Sequence, residues 1–168
     1  YRDRFGVELD PASEVVPALG GKEAVGHIAM VCLDPGEVAL SPEPGYPPYT
    51  SGPVFSGADV HFLPLTPEND FFPDLDAISP DVVERANLLY LNYPNNPTGA
   101  VVPSGAFERA VEFARANDLI LVHDNAYSEG CFDGYEAPSF LETPGAKDVG
   151  VEIFSLSKNF GSGQKRTV

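Results

Sequence analysis

Short, mostly apolar runs alternate with amphipathic segments along this chain. The runs at 88–91, 119–122 and 151–154 are bounded by polar residues, a pattern typical of buried parallel strands. Weaker strand patterns lie at 37–41 and 60–63, and a weak helix pattern lies between them. Between the runs, apolar residues recur at helical spacing, which predicts one helix on Val25, Ile28, Ala29 and Cys32 and another on Phe107, Ala110, Val111 and Ala114.

Strands that alternate with helices of this length predict right-handed crossovers and a three-layer α/β/α fold with a mostly parallel sheet. The paired glycines Gly20 and Gly21 precede the first helix, and Ser104 is the expected N-cap of the second. The 17 prolines and 16 glycines fall at turns between elements rather than in one block. We therefore expect one domain over residues 1–168, incomplete at both ends.

Polar segments follow three of the strand-like runs directly. They are Asn92 to Gly99, His123 to Tyr127, and Ser155 to Lys158. Because ligands of an open α/β sheet gather outside the carboxyl ends of its strands, these segments are expected to meet at one edge. An amide, a carboxylate, a phenol, two hydroxyls and an amine at that edge suit a phosphorylated pyridine aldehyde.

Lys158 is the candidate for a covalent bond to such an aldehyde. A lysine amine forms a Schiff base with a carbonyl group, and neighbouring cations or apolar surroundings lower its pKa for that role. A lone lysine near a strand end is more often a solvated surface residue. Ser155 and Ser157 favour the functional interpretation, because both hydroxyls can donate to phosphate oxygens from the same turn.

Asp124 and Tyr127 are candidates for contact with the pyridine ring. A carboxylate beside the ring nitrogen keeps that nitrogen protonated, so that the ring can accept electrons. The alternative for Asp124 is a helix N-cap at a strand-to-helix turn. The phenol of Tyr127 can hydrogen-bond the ring hydroxyl, and its alternative is an ordinary half-buried tyrosine.

The remaining candidates are expected around the same place. Asn96 lies in a tight Asn-Pro-Thr-Gly turn, and its amide can point at the ring oxygen. Gly21 and Lys22 begin a helix whose free N–H groups suit an anion, although the spacing of a P-loop is missing. Tyr46 can stack on a planar ring or pack on the core. Arg166 can clamp a phosphate or belong to a disordered terminus.

Charge and composition exclude several classes of partner. Ten basic and 25 acidic residues give a net charge of −15, which argues against nucleic acids and anionic membranes. No apolar stretch is long enough to span a bilayer and no signal peptide opens the chain, so we expect a cytoplasmic protein. Cys32 and Cys131 form no metal-ligand pattern, and we assign no role to His27, His61 and His123.

Together, the motifs Asn-Asn-Pro-Thr-Gly, Asp-Asn-Ala-Tyr and Ser-Leu-Ser-Lys resemble the class I and II aminotransferases of fold type I, which depend on pyridoxal 5′-phosphate (PLP). The likeness runs from about Leu9 to Lys158 and is greatest to the branch that includes LL-diaminopimelate, alanine and aspartate aminotransferases. It extends to Gly20–Glu23, Leu33–Gly36 and Pro44–Pro47. Each motif is weak alone, whereas all of them in this order are specific.

The resemblance implies a role for each candidate. Lys158 is the Schiff-base lysine and moves the proton, and Asp124 holds the ring nitrogen. Tyr127 and Asn96 hold the ring oxygen, while Tyr46 stacks on the ring. The phosphate is surrounded by Gly21, Lys22, Ser155, Ser157 and Arg166. The implied reaction transfers an amino group from an amino acid to a 2-oxo acid in two half-reactions, catalysed by a homodimer.

The chain departs from the family pattern in three respects. Gly21 stands where many relatives carry serine, so one phosphate hydroxyl is absent. After Lys158 the usual aromatic, glycine and Trp-Arg sequence is missing, and Arg166 keeps the spacing without that context. The N-terminal arm and the C-terminal small domain, with its substrate-binding arginine, are not found in the sequence. The resemblance therefore implies part of the large, cofactor-binding domain.

Three other interpretations stay open. A C–S lyase or an aminocyclopropane-carboxylate synthase of the same fold type shares the cofactor-binding residues and differs mainly in its substrate contacts. A non-catalytic PLP-sensing module of a transcription regulator is disfavoured by the acidic charge and by the lack of a basic winged-helix segment. A truncated chain that binds nothing would expose apolar surface and aggregate.

Overall fold

A computed structural model describes residues 1–159 and, for Asn159, the backbone alone. Arg166 lies outside the described residues. Five strands form one sheet in the spatial order β2-β1-β3-β4-β5, and every neighbouring pair is parallel. The strands are β1 (Val38–Glu43), β2 (Asp59–Pro64), β3 (Ala86–Leu91), β4 (Ile120–Asn125) and β5 (Gly150–Phe154).

Helices connect the strands on both faces of the sheet. They are α1 (Arg2–Phe5), α2 (Gly21–Cys32), α3 (Pro48–Ser56), α4 (Pro80–Arg85), α5 (Ala106–Ala116), α6 (Ala146–Val149) and α7 (Leu156–Asn159), with short 3₁₀ turns at Pro67–Asn69, Leu75–Ala77 and Phe140–Glu142. None of the helices in the described part of the chain has the length and apolar character needed to cross a membrane.

Alternate residues of each central strand face opposite layers, as the pleat of a strand requires. Leu88 and Tyr90 of β3 pack in one core with residues of α2 and α3, whereas Leu89 and Leu91 pack in a second core with residues of α5. The predicted three-layer α/β/α architecture is therefore confirmed. Burial on both faces also explains why these strands are short, continuous apolar runs.

Helices α2 and α3 approach each other closely on one side of the sheet. A side-chain carbon added at Gly52 of α3 would lie 2.7 Å from the carbonyl oxygen of Gly26 and 3.2 Å from the Cβ of Ala29, both in α2. Glycine permits this contact because it has no Cβ. The contact holds the middle of α3 against α2, and both helices contribute to the site described below.

The sequence-based expectations differ from the structure in two places that bear on local geometry. The N-cap of α5 is Gly105, with a left-handed φ of 72°, and Ser104 lies one residue before it. Glycine adopts this backbone conformation easily, which lets the helix begin one residue later than Ser104 would specify. The helix N-cap interpretation of Asp124 is also wrong, because Asp124 lies within β4.

Candidate functional site

The carboxyl ends of β1, β3, β4 and β5 lie along one edge of the sheet, because all neighbouring strands are parallel. The loop with Tyr46 follows β1, the segment from Asn92 follows β3, and the segment from Ser155 follows β5. Asp124 is the second-last residue of β4. The order in which strands are added to the sheet changes direction at β1, because β2 lies on one side of β1 and β3 on the other. Such a switch point creates a crevice at the carboxyl edge, where ligands of α/β proteins bind.

Asp124 is a buried carboxylate on the face that carries α2 and α3. It is 7% exposed, and its Oδ2 accepts a hydrogen bond of 2.9 Å from the hydroxyl of Tyr49. Burial raises the pKa of Asp124, whereas the Tyr49 hydrogen bond and the positive charges of His123 and Lys158 oppose that rise. Within residues 1–159, no group donates a hydrogen bond to Oδ1.

Aromatic rings line the region beside this carboxylate. Tyr49 stacks on Tyr90 with ring centroids 4.9 Å apart, and Tyr46 meets Tyr49 edge-on at 5.8 Å. Burial and the Asp124 carboxylate raise the pKa of Tyr49, and Tyr127 and Tyr46 are close enough to add to the rise. The structure thus brings Tyr46 and Tyr127 to the neighbourhood of Asp124, as the sequence suggested.

The start of α2 lies against the segment that follows β5. A side-chain carbon added at Gly21 would lie 3.5 Å from the Cβ and 3.7 Å from the Oγ of Ser155. The Oγ of Ser155 accepts a hydrogen bond of 3.3 Å from the N–H of Ser157. The first N–H groups of a helix have no carbonyl partner within it and attract anions. Two serines and a helix N-terminus therefore form a place suited to a phosphate.

Two lysines flank this region. Lys22, in the first turn of α2, places its Nζ 6.0 Å from the centroid of the Tyr46 ring. Lys158, in α7, is exposed to solvent, and its positive charge opposes the rise that burial causes in the pKa of Asp124. An amine accessible to an aldehyde therefore lies near a carboxylate suited to a pyridine nitrogen.

The turn that contains Asn96 is tied to the strands by the side chain of Asn92. Asn92 accepts a hydrogen bond of 2.8 Å from the N–H of Asn96 through its Oδ1. Its Nδ2 donates a hydrogen bond of 2.7 Å to the backbone carbonyl of Asp124. Asn96 is half-buried and remains accessible to a ligand at the sheet edge.

A second buried polar cluster occupies the opposite face of the sheet. The side chains of His123 and Glu152 are fully buried, and the Nδ1 of His123 lies 2.8 Å from the Oε2 of Glu152. The other ring nitrogen, Nε2, lies 3.2 Å from the backbone carbonyl of Tyr93. Each ring nitrogen therefore faces an oxygen atom that can accept a hydrogen bond. His123 is the neighbouring residue of Asp124 in the same strand, and its positive charge opposes the rise in the Asp124 pKa.

The donor and acceptor set at the edge fits PLP. A buried carboxylate with one oxygen held by Tyr49 suits a protonated pyridine nitrogen, and the start of α2 with two serine hydroxyls suits a phosphate. Backbone N–H groups allow this anion site in a chain of net charge −15. The structure places every candidate of the sequence analysis except Arg166 on elements at this edge.

Tyr49, Asn92 and Glu152 are not among the residues predicted from the sequence. The one local signal for Tyr49 is its position three residues after Tyr46. The N–H of Tyr49 donates a hydrogen bond of 3.0 Å to the carbonyl of Tyr46, and this bond closes a turn between them. Asn92 offered a weaker signal, as the first polar residue after β3. Glu152 offered none, because an acidic residue within a strand ordinarily faces solvent.

Replacing Tyr49 by phenylalanine is expected to raise the pKa of Asp124 further and to lower the free energy of unfolding by about 1.5–3 kcal/mol, the usual range for a hydrogen bond to a charged group. The reason is that Asp124 loses a buried donor that favours its charged form. The carboxyl pKa can be followed by ¹³C NMR. Tyr93→Phe is a matched control, because the buried Tyr93 hydroxyl donates to the carbonyl of Phe71 instead. An unchanged Asp124 pKa in Tyr49→Phe would contradict the assignment.

Comparison with known sequences places these motifs in context. A sequence model of the family described as aminotransferase class I and II matches residues 1–166. The LL-diaminopimelate aminotransferases of Moorella thermoacetica and Dehalococcoides mccartyi are 53% and 52% identical to this chain over 160 residues. Each alignment covers 95% of this chain and 41% of the relative, so the chain spans about two fifths of the length of these curated relatives.

Solved structures show the same architecture. Substrate-bound BacF from Bacillus subtilis matches with a TM-score of 0.93 at 41% identity, over 96% of this chain and 41% of that chain. An aminotransferase from Staphylococcus aureus matches with a TM-score of 0.92 at 33% identity, over 97% of this chain and 43% of that chain. The described fold is therefore similar to part of each of these larger structures.

Proposed function

This chain belongs to the class I and II aminotransferase family, whose members depend on PLP, and on that premise we propose that it binds PLP and serves an enzyme that transfers an amino group between an amino acid and a 2-oxo acid. The observation that carries the proposal is the buried Asp124 carboxylate, with one oxygen held by Tyr49 and the other without a hydrogen bond in residues 1–159. Lys158 and the start of α2 flank this carboxylate.

Each residue at the edge has a proposed task. Bound PLP supplies an electron sink for the negative charge that develops at the substrate α-carbon. Asp124 accepts a hydrogen bond from the ring nitrogen and keeps it protonated. The Nζ of Lys158 would hold the cofactor through its aldehyde carbon and would move a proton at the substrate α-carbon.

The other side chains orient the cofactor in this proposal. Asn96 and Tyr127 hydrogen-bond the ring oxygen, and Tyr46 covers one face of the ring. Their support is their position at the carboxyl edge next to Asp124 and Tyr49. The phosphate is held by a set of hydroxyls, cations and helix N–H groups, namely those of Gly21, Lys22, Ser155, Ser157 and Arg166.

The wider organisation is also a proposal. We assign residues 1–168 to the large, cofactor-binding domain, since the chain spans 41% of its curated relatives' length. A homodimer and a cytoplasmic location stay predictions. For the amino donor we propose LL-diaminopimelate, because the curated relatives with 46–53% identity carry that substrate in their names.

The proposal is tested by mixing the chain with PLP, reducing with borohydride and mapping the modified lysine by mass spectrometry. A single pyridoxyl adduct on Lys158 is the expected result. Labelling scattered over Lys22, Lys147 and Lys165, or no labelling, would show that the site does not assemble in this chain. Amino transfer from LL-diaminopimelate to a 2-oxo acid, followed by chromatography, then tests the proposed substrate separately.

A further inference from the structure

We propose that Asn92 is a positioning residue that couples Asn96 to Asp124, so that the contacts proposed for the ring oxygen and the ring nitrogen are held at one fixed separation. The effect of this coupling on cofactor binding rests on the proposed function. Its structural part, the coupling of two segments by one side chain, rests only on the geometry of the described residues.

The side chain of Asn92 bonds to both segments at once. It is 2% exposed and comes directly after β3. Its Nδ2 donates to the carbonyl oxygen of Asp124 at 2.7 Å, and its Oδ1 accepts from the N–H of Asn96 at 2.8 Å. The Asn92 amide therefore fixes the backbone of Asp124 relative to the backbone of Asn96. Asp124 is the residue proposed to bind the ring nitrogen, and Asn96 is the one proposed to bind the ring oxygen.

Asn92 lies where the backbone pairing of β3 with β4 ends, and its side chain provides a hydrogen bond that the backbone does not. The pairing of β3 with β4 ends at Leu91 and His123, so Asp124 lies one residue beyond the last paired position. A buried carbonyl without a donor is costly, and the Asn92 amide supplies that donor where the ladder stops. The side chain thereby extends the connection between the two strands to the site itself.

The turn that carries Asn96 is connected to Asn92 by further hydrogen bonds. The Nδ2 of Asn95 donates to the Asn92 carbonyl at 3.2 Å, and the Oδ1 of Asn95 accepts from the N–H and the Oγ1 of Thr98 at 3.1 and 2.8 Å. These bonds fix the shape of the turn but not its distance from β4. That distance depends on the bond between Asn92 and Asp124, together with the contact of 3.2 Å between the Nε2 of His123 in β4 and the carbonyl of Tyr93.

Asparagine suits this task because its side chain is a donor and an acceptor at the same time. An aspartate of the same shape accepts from Asn96 but cannot donate to the Asp124 carbonyl when it is ionised. Asn92→Asp therefore removes one of the two bonds, and Asn92→Ala removes both. Asn87→Ala is the matched control, because Asn87 lies in β3, the strand that Asn92 follows, and its amide donates to the Cys32 carbonyl and to Glu37, away from the site.

The experiment compares these three variants of the full chain with the wild type in two measurements. Amide hydrogen exchange by NMR reports the bridge directly, and titration with PLP reports its consequence. Asn92→Ala is expected to speed exchange at the Asn96 N–H at least tenfold and to weaken PLP binding about 10- to 100-fold, because both hydrogen bonds of the bridge are lost. Asn92→Asp should keep the Asn96 amide protected and weaken PLP binding by less. Asn87→Ala should leave both unchanged.

The outcomes separate this inference from the proposed function. If Asn92→Ala leaves Asn96 exchange and PLP affinity as in the wild type, or if Asn87→Ala changes them equally, the coupling is overturned. If Asn92→Ala does not fold, Asn92→Asp decides in its place: PLP affinity equal to that of the wild type would overturn the coupling. A wild-type chain that does not bind PLP would remove the proposed function, while the Asn96 exchange rates would still decide for or against the bridge.

Discussion

Replacing Lys158 by alanine is expected to abolish the covalent adduct between this chain and PLP completely, while weaker non-covalent binding remains. The physical reason is that the remaining contacts, from Asp124 and from the start of α2 with Ser155, hold the ring nitrogen and the phosphate without a covalent bond. The adduct is measured by its absorbance and, after borohydride reduction, by mass spectrometry. Retained binding is measured by equilibrium dialysis.

The competing amine in this experiment is Lys22, whose Nζ lies 6.0 Å from the centroid of the Tyr46 ring. Adduct formation at Lys22 in the Lys158→Ala variant would show that the pocket, rather than Lys158, selects the aldehyde. Lys147→Ala is the control, because Lys147 forms an ion pair with Glu14 and donates to the carbonyl of Glu8. This variant should form the adduct as the wild type does. An adduct spectrum unchanged in Lys158→Ala would remove Lys158 from its role.

The second large effect is expected at Glu152, where Glu152→Gln should lower the free energy of unfolding by about 3–5 kcal/mol, the range for breaking a buried ion pair. The fully buried carboxylate accepts hydrogen bonds from five groups, which belong to Tyr1, His123, Asn125, Ser139 and Phe140. Glutamine replaces one acceptor oxygen with an NH₂ group that faces donors. It also leaves His123 buried without its counter-charge.

The same interactions predict how stability depends on pH. Burial alone would raise the pKa of Glu152, but the hydrogen bond and positive charge of His123, with the bonds from Tyr1 and Asn125, lower it from 4.5 to about 2. Because the folded-state pKa is depressed, this stabilisation is fully present above pH 4.5 and is lost as pH falls toward 2. A depression of this size corresponds to about 3 kcal/mol.

Urea denaturation of wild type and Glu152→Gln between pH 2 and 7 measures both effects. The difference between the two proteins should be largest near neutral pH and should shrink below pH 4.5. Glu142→Gln is the control, because the exposed Glu142 accepts a bond of 2.6 Å from the N–H of Ser139 in the same segment. A pH-independent difference between wild type and Glu152→Gln would contradict the depressed pKa.

The layers and most strands of this fold follow from local sequence patterns. Strands β3 and β4 are apolar runs because both faces are buried, and α5 shows its buried face at Phe107, Ala110 and Ala114. All five strands begin or end one to three residues away from the expected limits. Helices α1, α4, α6 and α7 were not expected, because segments of four to six residues are too short to show helical periodicity.

The candidate site likewise contains parts that were predictable from the sequence and parts that were not. Segments at strand ends were predictable, because parallel strands bring their carboxyl ends together. The partners that hold those segments were not predictable, since they are distant in the chain. Tyr49 and Asp124 are 75 residues apart, Asn92 and Asp124 are 32 apart, and His123 and Glu152 are 29 apart. Nothing in the local pattern around any of these residues indicates its partner.

Side chains alternate between the two faces of the sheet along β4, and this alternation restricts insertions and deletions in the strand. His123 and Asp124 are adjacent, yet one packs against Phe107 and bonds to Glu152, while the other bonds to Tyr49 on the opposite face. Loss or gain of one residue inside β4 would exchange these faces, since side chains alternate with a period of two. The His123 imidazole would then lie on the face that carries the proposed ligand site, and the Asp124 carboxylate would lie in the apolar core. Evolution can therefore substitute residues in β4 far more easily than it can insert or delete one.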